Sequence, residues 1–155
     1  MTPAINAAKK KKVPFTTHQY EHDPANEAYG REAAEKLGIS EDRVFKTLVV
    51  LLDNEKLVVA VLPVSSMLSM KLIAKAGGAK KAAMADKAVV ERATGYVIGG
   101  VSPLGQKKRI QTVIDASAEQ FPTIFVSAGR RGLQIELAAK DLATLTGATF
   151  AEIRQ

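Results

Sequence analysis

Two apolar runs, Val44–Leu52 and Leu57–Leu62, stand only four polar residues apart, at Asp53-Asn54-Glu55-Lys56. Nothing else in the chain limits its fold so sharply. Runs this short suit strands rather than helices, and a link this short suits a hairpin. Their apolarity is nearly continuous instead of alternating, which predicts a buried hairpin. Lys46 breaks the first run. Side chains alternate along a strand, so Lys46 shares a face with Val44, Leu48 and Val50. Desolvating an unpaired ammonium costs several kcal/mol. The side chain therefore either snorkels at the start of the strand or points into a functional cavity.

The remaining segments supply both helices and strands. Residues 4–12 suit a short basic helix, Val13–Tyr20 has strand composition, and His22-Asp23-Pro24 reads as a turn. Glu27–Leu37 is rich in Ala, Glu, Lys and Arg and is followed by Gly38, which predicts a helix with a glycine cap. Further helices are expected at Lys71–Ala76, behind Ser69, and from Asp86 through Ala93, stopped by Gly95. Tyr96-Val97-Ile98, Thr112–Asp115, Thr123–Val126 and Leu133–Leu137 read as short strands, and Asp141–Leu145 as a last helix before Gly147. A regular strand–helix rhythm is missing. The expected class is α+β, with a mixed, barrel-like sheet and peripheral helices. No repeat, low-complexity tract or long linker divides the chain, so residues 1–155 are expected to form one domain.

Composition removes whole classes of chemistry. There is no cysteine, which excludes disulfides, thiolate catalysis and zinc–thiolate sites. His18 and His22 are the only histidines, so a serine triad would need one of them and a histidine-rich metal site has no ligands. The net charge of +6 favours a polyanionic partner such as RNA. Lys9-Lys10-Lys11-Lys12 is not followed by an apolar stretch, and the longest apolar run falls far short of the ~20 residues of a membrane span. A cytoplasmic protein without membrane contact is expected.

Three polar segments could carry chemistry. Gly99-Gly100-Val101-Ser102-Pro103-Leu104-Gly105-Gln106-Lys107-Lys108-Arg109 has glycines that let backbone N–H groups approach an anion, then a basic run. It misses a P-loop, because Gln106 stands where lysine is required and Lys107 where Ser or Thr is required. It also misses a nucleophile elbow, because Leu104 stands where the second glycine belongs. Ser127-Ala128-Gly129-Arg130-Arg131-Gly132 is a second glycine loop, with guanidiniums suited to phosphate. Tyr20-Glu21-His22-Asp23 offers a phenol, an imidazole and carboxylates. Each also has a plain structural reading, as a turn, a basic hairpin or a polar strand end.

Taken together, the segments resemble the YbaK/EbsC family of aminoacyl-tRNA deacylases, relatives of the editing domain inserted in bacterial prolyl-tRNA synthetases. The resemblance is carried by Tyr20-Glu21-His22-Asp23-Pro24, Phe45-Lys46-Thr47-Leu48, Thr94-Gly95-Tyr96, the run Gly99–Arg109, and Arg131-Gly132-Leu133 with Ile135-Glu136-Leu137. It spans nearly the whole chain and is most like the Cys-tRNA(Pro) branch. It implies a trans-editing hydrolase acting on mischarged tRNA(Pro), with no metal and no cofactor, and prolyl-tRNA synthetase as a transient partner. The family's key lysine falls on Lys46, its pocket glycines on Gly99 and Gly100, and its second loop on Ser127 and Gly129. Tyr20, His22, Thr47, Ser102 and Pro103 are expected to bind substrate, and Lys107, Lys108, Arg130 and Arg131 to meet tRNA phosphates. The chain departs from close relatives at Ala128, Arg130 and Gln134, where glycine, lysine and aspartate occur. An Ala-tRNA(Pro) or broader deacylase, and a non-catalytic tRNA-binding or regulatory module, are the competing expectations.

Overall fold

A computed structural model describes residues 1–155. The elements are α1 (Pro3–Lys10), β1 (Thr16–Gln19), α2 (Tyr29–Leu37), β2 (Phe45–Leu52), β3 (Leu57–Pro63), α3 (Met70–Ala76), β4 (Ala82–Met84), α4 (Lys87–Thr94), β5 (Gln111–Asp115), β6 (Ile124–Arg130), β7 (Leu133–Leu137), α5 (Ala139–Thr146) and β8 (Thr149–Ala151). A single 3₁₀ stretch, Ala116–Gln120, follows β5.

The apolar hairpin forms as expected. β2 and β3 pair antiparallel with Leu51 opposite Leu57 and Phe45 opposite Pro63. They sit inside a five-stranded sheet of order β4-β2-β3-β5-β8, in which β5 and β8 add in parallel. Both faces are covered. Phe45, Val49, Val59, Val61 and Ile114 turn toward β6, β7, α1 and α5. Val50, Leu52, Val58, Ala60, Leu62 and Val113 turn toward α3 and Ile153. This is the two-residue period of a strand, read out as two separate apolar layers. Each fully buried aliphatic side chain here contributes about 1.5–3 kcal/mol.

The second sheet has three strands, β1-β7-β6. A lone parallel bridge, Val44 to Phe125, joins it to the start of β2. Phe125 N–H donates to Arg43 O at 2.9 Å, and the Arg43 guanidinium donates to Thr123 O and Oγ1. The eight strands thus form two sheets meeting at one corner rather than one closed ring. That corner sets the start of β2, with Lys46, beside Ser127 on β6.

Helix ends follow the sequence signals. Gly38, Gly95 and Gly147 take left-handed conformations behind α2, α4 and α5. Ser69 Oγ accepts from Leu72 N–H and caps α3. Tyr96-Val97-Ile98 is not a strand. Tyr96 is buried and its hydroxyl donates to Leu104 O at 2.5 Å, so the segment folds back as a turn instead of pairing with a neighbour. β4 and β8 went unpredicted because Ala82–Met84 and Thr149–Ala151 pair through residues distant in the chain and carry no local alternation.

A candidate active-site cleft between the two sheets

The start of β2, the first turn of α2, the Gly99 loop and the β6–β7 turn enclose a cleft of about 520 Å³. Lys46 lies on its wall, with Tyr20, Thr47, Gly99, Ser127, Arg130 and Arg131 around it. The Lys46 ammonium donates to Ser66 O at 2.6 Å, which leaves two of its three N–H donors free. Burial, and then the charge of Arg31, hold its pKa below the ordinary lysine value. Lys46 thus faces a half-buried cavity that one carbonyl does not saturate.

Gly99 has φ +91°, and a Cβ there would come within 2.4 Å of Arg131 Nε and 2.9 Å of Tyr29. Only glycine lets the loop take this shape under that pair. Its N–H makes no backbone hydrogen bond. Arg131 is held in place twice. Its guanidinium lies 4.3 Å over the Tyr29 ring and donates to Ile98 O at 2.8 Å. Arg131 therefore braces the rim of the cleft, with its remaining N–H donors exposed. Arg130, exposed beside it, remains free.

The first turn of α2 brings Ala28, Tyr29, Gly30 and Arg31 to the opposite wall. Gly30 makes this possible: a Cβ there would overlap Val64 at 2.2 Å. Ala28 offers no side-chain cap, so the first N–H groups of the helix stay open toward the cleft, and its dipole adds positive potential there. Behind this helix, His22 Nδ1 meets Glu32 Oε1 at 2.6 Å, and Asp23 N–H donates to Glu32 Oε2 at 2.9 Å. Burial alone would push the Glu32 carboxyl up. The hydrogen bonds from His22 and Asp23 and the charges of His22 and Lys36 outweigh it, and its pKa lies below the ordinary value.

Several expected site residues lie elsewhere. Gly100 does not line the cleft: its N–H closes a turn on Val97 O at 3.0 Å, and its Cα packs on the Arg130 backbone. Ser102 is fully buried inside the loop, where its Oγ accepts from Leu104 N–H and its carbonyl from Gln106 Nε2. Pro103, Lys107 and Lys108 border a separate depression. Gly129, at φ +111°, makes room for Tyr96 and Thr2 within a bulge of β6. His22 supports α2 from behind, and His18 is bonded to Glu136 Oε1 at 2.8 Å. Neither histidine lines the cleft, so Ser127 has no imidazole beside it. The sequence reading missed Tyr29 and Arg31, both cleft-lining, while Gln134, noted there only as a departure from relatives, lines the cleft as well. Only the buried Glu32, in an otherwise small-residue stretch Ala33-Ala34, hinted that α2 carries more than packing.

The start of α2, Lys46 and Gly99 thus line one cavity that holds Arg31, Arg130 and Arg131 and no carboxylate, a setting compatible with an anion. Comparison with known proteins gives this class its family. Residues 22–145 match the aminoacyl-tRNA editing domain, and the chain belongs to that family. It is 41% identical, over 98% of its length and 92% of the relative's, to EbsC of Enterococcus faecalis (strain ATCC 700802 / V583), named as a proposed Cys-tRNA(Pro)/Cys-tRNA(Cys) deacylase. Among solved structures, the protein APE2540 superposes with a TM-score of 0.88 at 25% identity, covering 99% of both chains. A proposed trans-editing enzyme for prolyl-tRNA synthetase superposes with a TM-score of 0.83 at 20% identity, covering 99% of this chain and 95% of the other. At that identity the likeness concerns the fold.

Proposed function

We propose that this chain deacylates mischarged tRNA(Pro) in trans, with the cysteinyl ester as its preferred substrate. The observation that carries the reading is a cleft lined by Lys46, Gly99 and Ser127 with neither histidine beside them, in a chain without cysteine. Ester hydrolysis needs a nucleophile and a group that receives negative charge. The cleft is furnished for the second task and not the first. A cysteinyl ester brings its own nucleophile. Its sulfur bonds to the ester carbon, the bond to the ribose oxygen breaks, and the thiol proton ends on that oxygen. The product is free tRNA and a cyclic thiolactone, which water then opens. Holding sulfur and carbonyl in attack geometry can supply about 7–11 kcal/mol of the barrier.

In this reading Lys46 and the Gly99 N–H take the carbonyl oxygen as it gains charge. Tyr20, Thr47 and Ser127 shape the aminoacyl pocket, and Arg130 meets a phosphate near the 3′ end. Prolyl-tRNA synthetase supplies the tRNA in a transient complex, in keeping with the name of the structural relative.

The test is a panel of Cys-, Ser- and Ala-tRNA(Pro) with purified protein. The cysteinyl ester is expected to be cleaved at least 100-fold faster than the seryl ester, because a hydroxyl is far less nucleophilic than a thiol at neutral pH. Equal rates would remove the substrate-thiol mechanism, and faster cleavage of the alanyl ester would move the specificity. Lys46→Ala is expected to abolish cleavage while the melting temperature holds; retained activity would take Lys46 out of the site.

A further inference from the structure

The loop that brings Gly99 to the cleft runs on to Lys107, Lys108 and Arg109 at a second depression, of about 340 Å³. Ala7 of α1 and Thr146 of α5 complete its border. Residues three and four positions on from Ala7 lie on the same helix face, which brings Lys10 and the cap residue Lys11 to the same rim. All five cations are exposed, and none enters an ion pair. Residues 1–20 and 92–114 contain no acid at all. On the other bordering elements the carboxylates are Asp115, buried and paired with Arg154, and Asp141, a helical turn before Leu145. The chain has 22 Lys and Arg against 16 Asp and Glu; without these five cations it would be 17 against 16.

The backbone beneath is fixed. Lys107 N–H donates to Thr94 O at 2.9 Å and Lys108 N–H to Ala93 O at 3.1 Å. Gly105, at φ +65°, presses on Pro3, where a Cβ would come within 2.5 Å of the carbonyl. The loop is therefore tied to the end of α4 and packed against the start of α1. Lys10 and Lys11 lie outside the residues matched to the editing domain.

Resting on the editing reading of the cleft, we propose that this basic rim is a second RNA contact, which grips the phosphates of the tRNA acceptor helix while its 3′ end occupies the cleft. Eight residues separate Gly99 from Lys107, so the two sites are at most about 28 Å apart along the loop, a span that an unpaired 3′ end can bridge. Phosphate is the favoured ligand because Lys107, Lys108 and Arg109 stand here beside the polar Gln106, Thr112 and Thr146. A lipid surface would want exposed large apolar side chains, and those of this chain (Met1, Leu51, Met67, Met84 and Val97) do not border the depression. Contacts of this kind are blind to base sequence and sensitive to salt.

The experiment compares the full chain with Lys107→Ala/Lys108→Ala/Arg109→Ala and, separately, Lys10→Ala/Lys11→Ala, each checked for an unchanged melting curve. Binding of uncharged tRNA is measured across a salt series, and cleavage is measured on Cys-tRNA(Pro) and on cysteinyl adenosine, which has no helix. The triple variant is expected to bind tRNA about tenfold or more weakly, with its log K–log salt slope shallower by about two, since each lost phosphate contact removes roughly 0.7–0.9. KM for Cys-tRNA(Pro) should rise with it, while cleavage of cysteinyl adenosine stays within twofold. The double variant should shift the slope in the same direction by a smaller amount. An unchanged slope, or an equal loss on cysteinyl adenosine, overturns the proposal. So does loss of binding to phosphatidylserine vesicles with tRNA binding intact. A wild-type chain that binds tRNA with the stated slope yet cleaves neither ester would sink the editing reading alone.

Discussion

At the scale of single residues, the cleft depends on positions where a side chain would be in the way. Gly99 combines a left-handed φ with a missing Cβ that would strike Arg131 and Tyr29. Gly99→Ala should therefore displace the Arg131–Tyr29 pair and move the N–H beside the cleft. A strained backbone of this kind costs about 1–3 kcal/mol. At about 2–4 °C per kcal/mol for a chain of this size, the melting temperature should fall by several degrees, and deacylation should fall at least tenfold. A variant with wild-type activity would show that the loop conformation is immaterial. Lys46 was legible from sequence because an ammonium inside an apolar strand is costly anywhere but beside a cavity. Gly100 was misread for a related reason. Two adjacent glycines look equivalent in sequence, but only the fold shows that Gly99 lines the cleft while the Gly100 N–H closes a turn on Val97.

At the scale of elements, the segment from α4 to β5 works as one bracket. Tyr96 anchors it: burial pushes its hydroxyl up to about 12, against the opposing effect of the Ala4 N–H, so it remains a donor to Leu104 O at any working pH. Tyr96→Phe should cost about 1–2 kcal/mol, the loss of one buried hydrogen bond with its acceptor left unsatisfied. Amide exchange should rise across residues 98–106 and remain unchanged in β3; uniform change would show that the hydroxyl does not hold the bracket. The hairpin β2–β3 was readable because burial on both faces writes a continuous apolar run. The bracket was not readable, because a buried tyrosine between Gly95 and Val97 looks the same in a strand and in a turn until its hydroxyl partner is known. The mouth contributed by α2 was equally hidden, since Tyr29 and Arg31 act through Arg131 and the cleft, contacts far away in sequence.

At the scale of the whole molecule, two carboxylates tie distant parts together. Glu32 links α2 to His22, as described. Glu136 on β7 accepts from Thr123 Oγ1 and His18. The Thr123 hydrogen bond comes first in lowering its pKa; burial opposes it, and His18 and Arg43 add to the lowering. Both folded values lie below the ordinary 4.5, so each contributes stability that is fully present above that pH. That stability is lost as the pH falls through the folded values. Thermal melts from pH 7 down to pH 3 should therefore show a flat stretch and then a steep loss below about 4.5. In Glu32→Gln the melting temperature should be lower at pH 7, and the gap to wild type should narrow on acidification. A gap that stays constant to pH 3 would mean that the carboxylate charge is not what stabilises α2. The α+β character was visible from the mixture of elements, whereas the split into a three-stranded and a five-stranded sheet was not, because parallel additions such as β8 on β5 leave no local mark.

The guanidinium of Arg131, stacked on Tyr29 and tied to Ile98, has a consequence for how an incoming polyanion is handled. A cation held as a strut meets a phosphate only at the place where it stands, and does not reach out for one. Ionic strength should then govern how often the nucleic acid arrives, through the rim around Lys107, and leave the fit of the aminoacyl end, once seated, almost untouched.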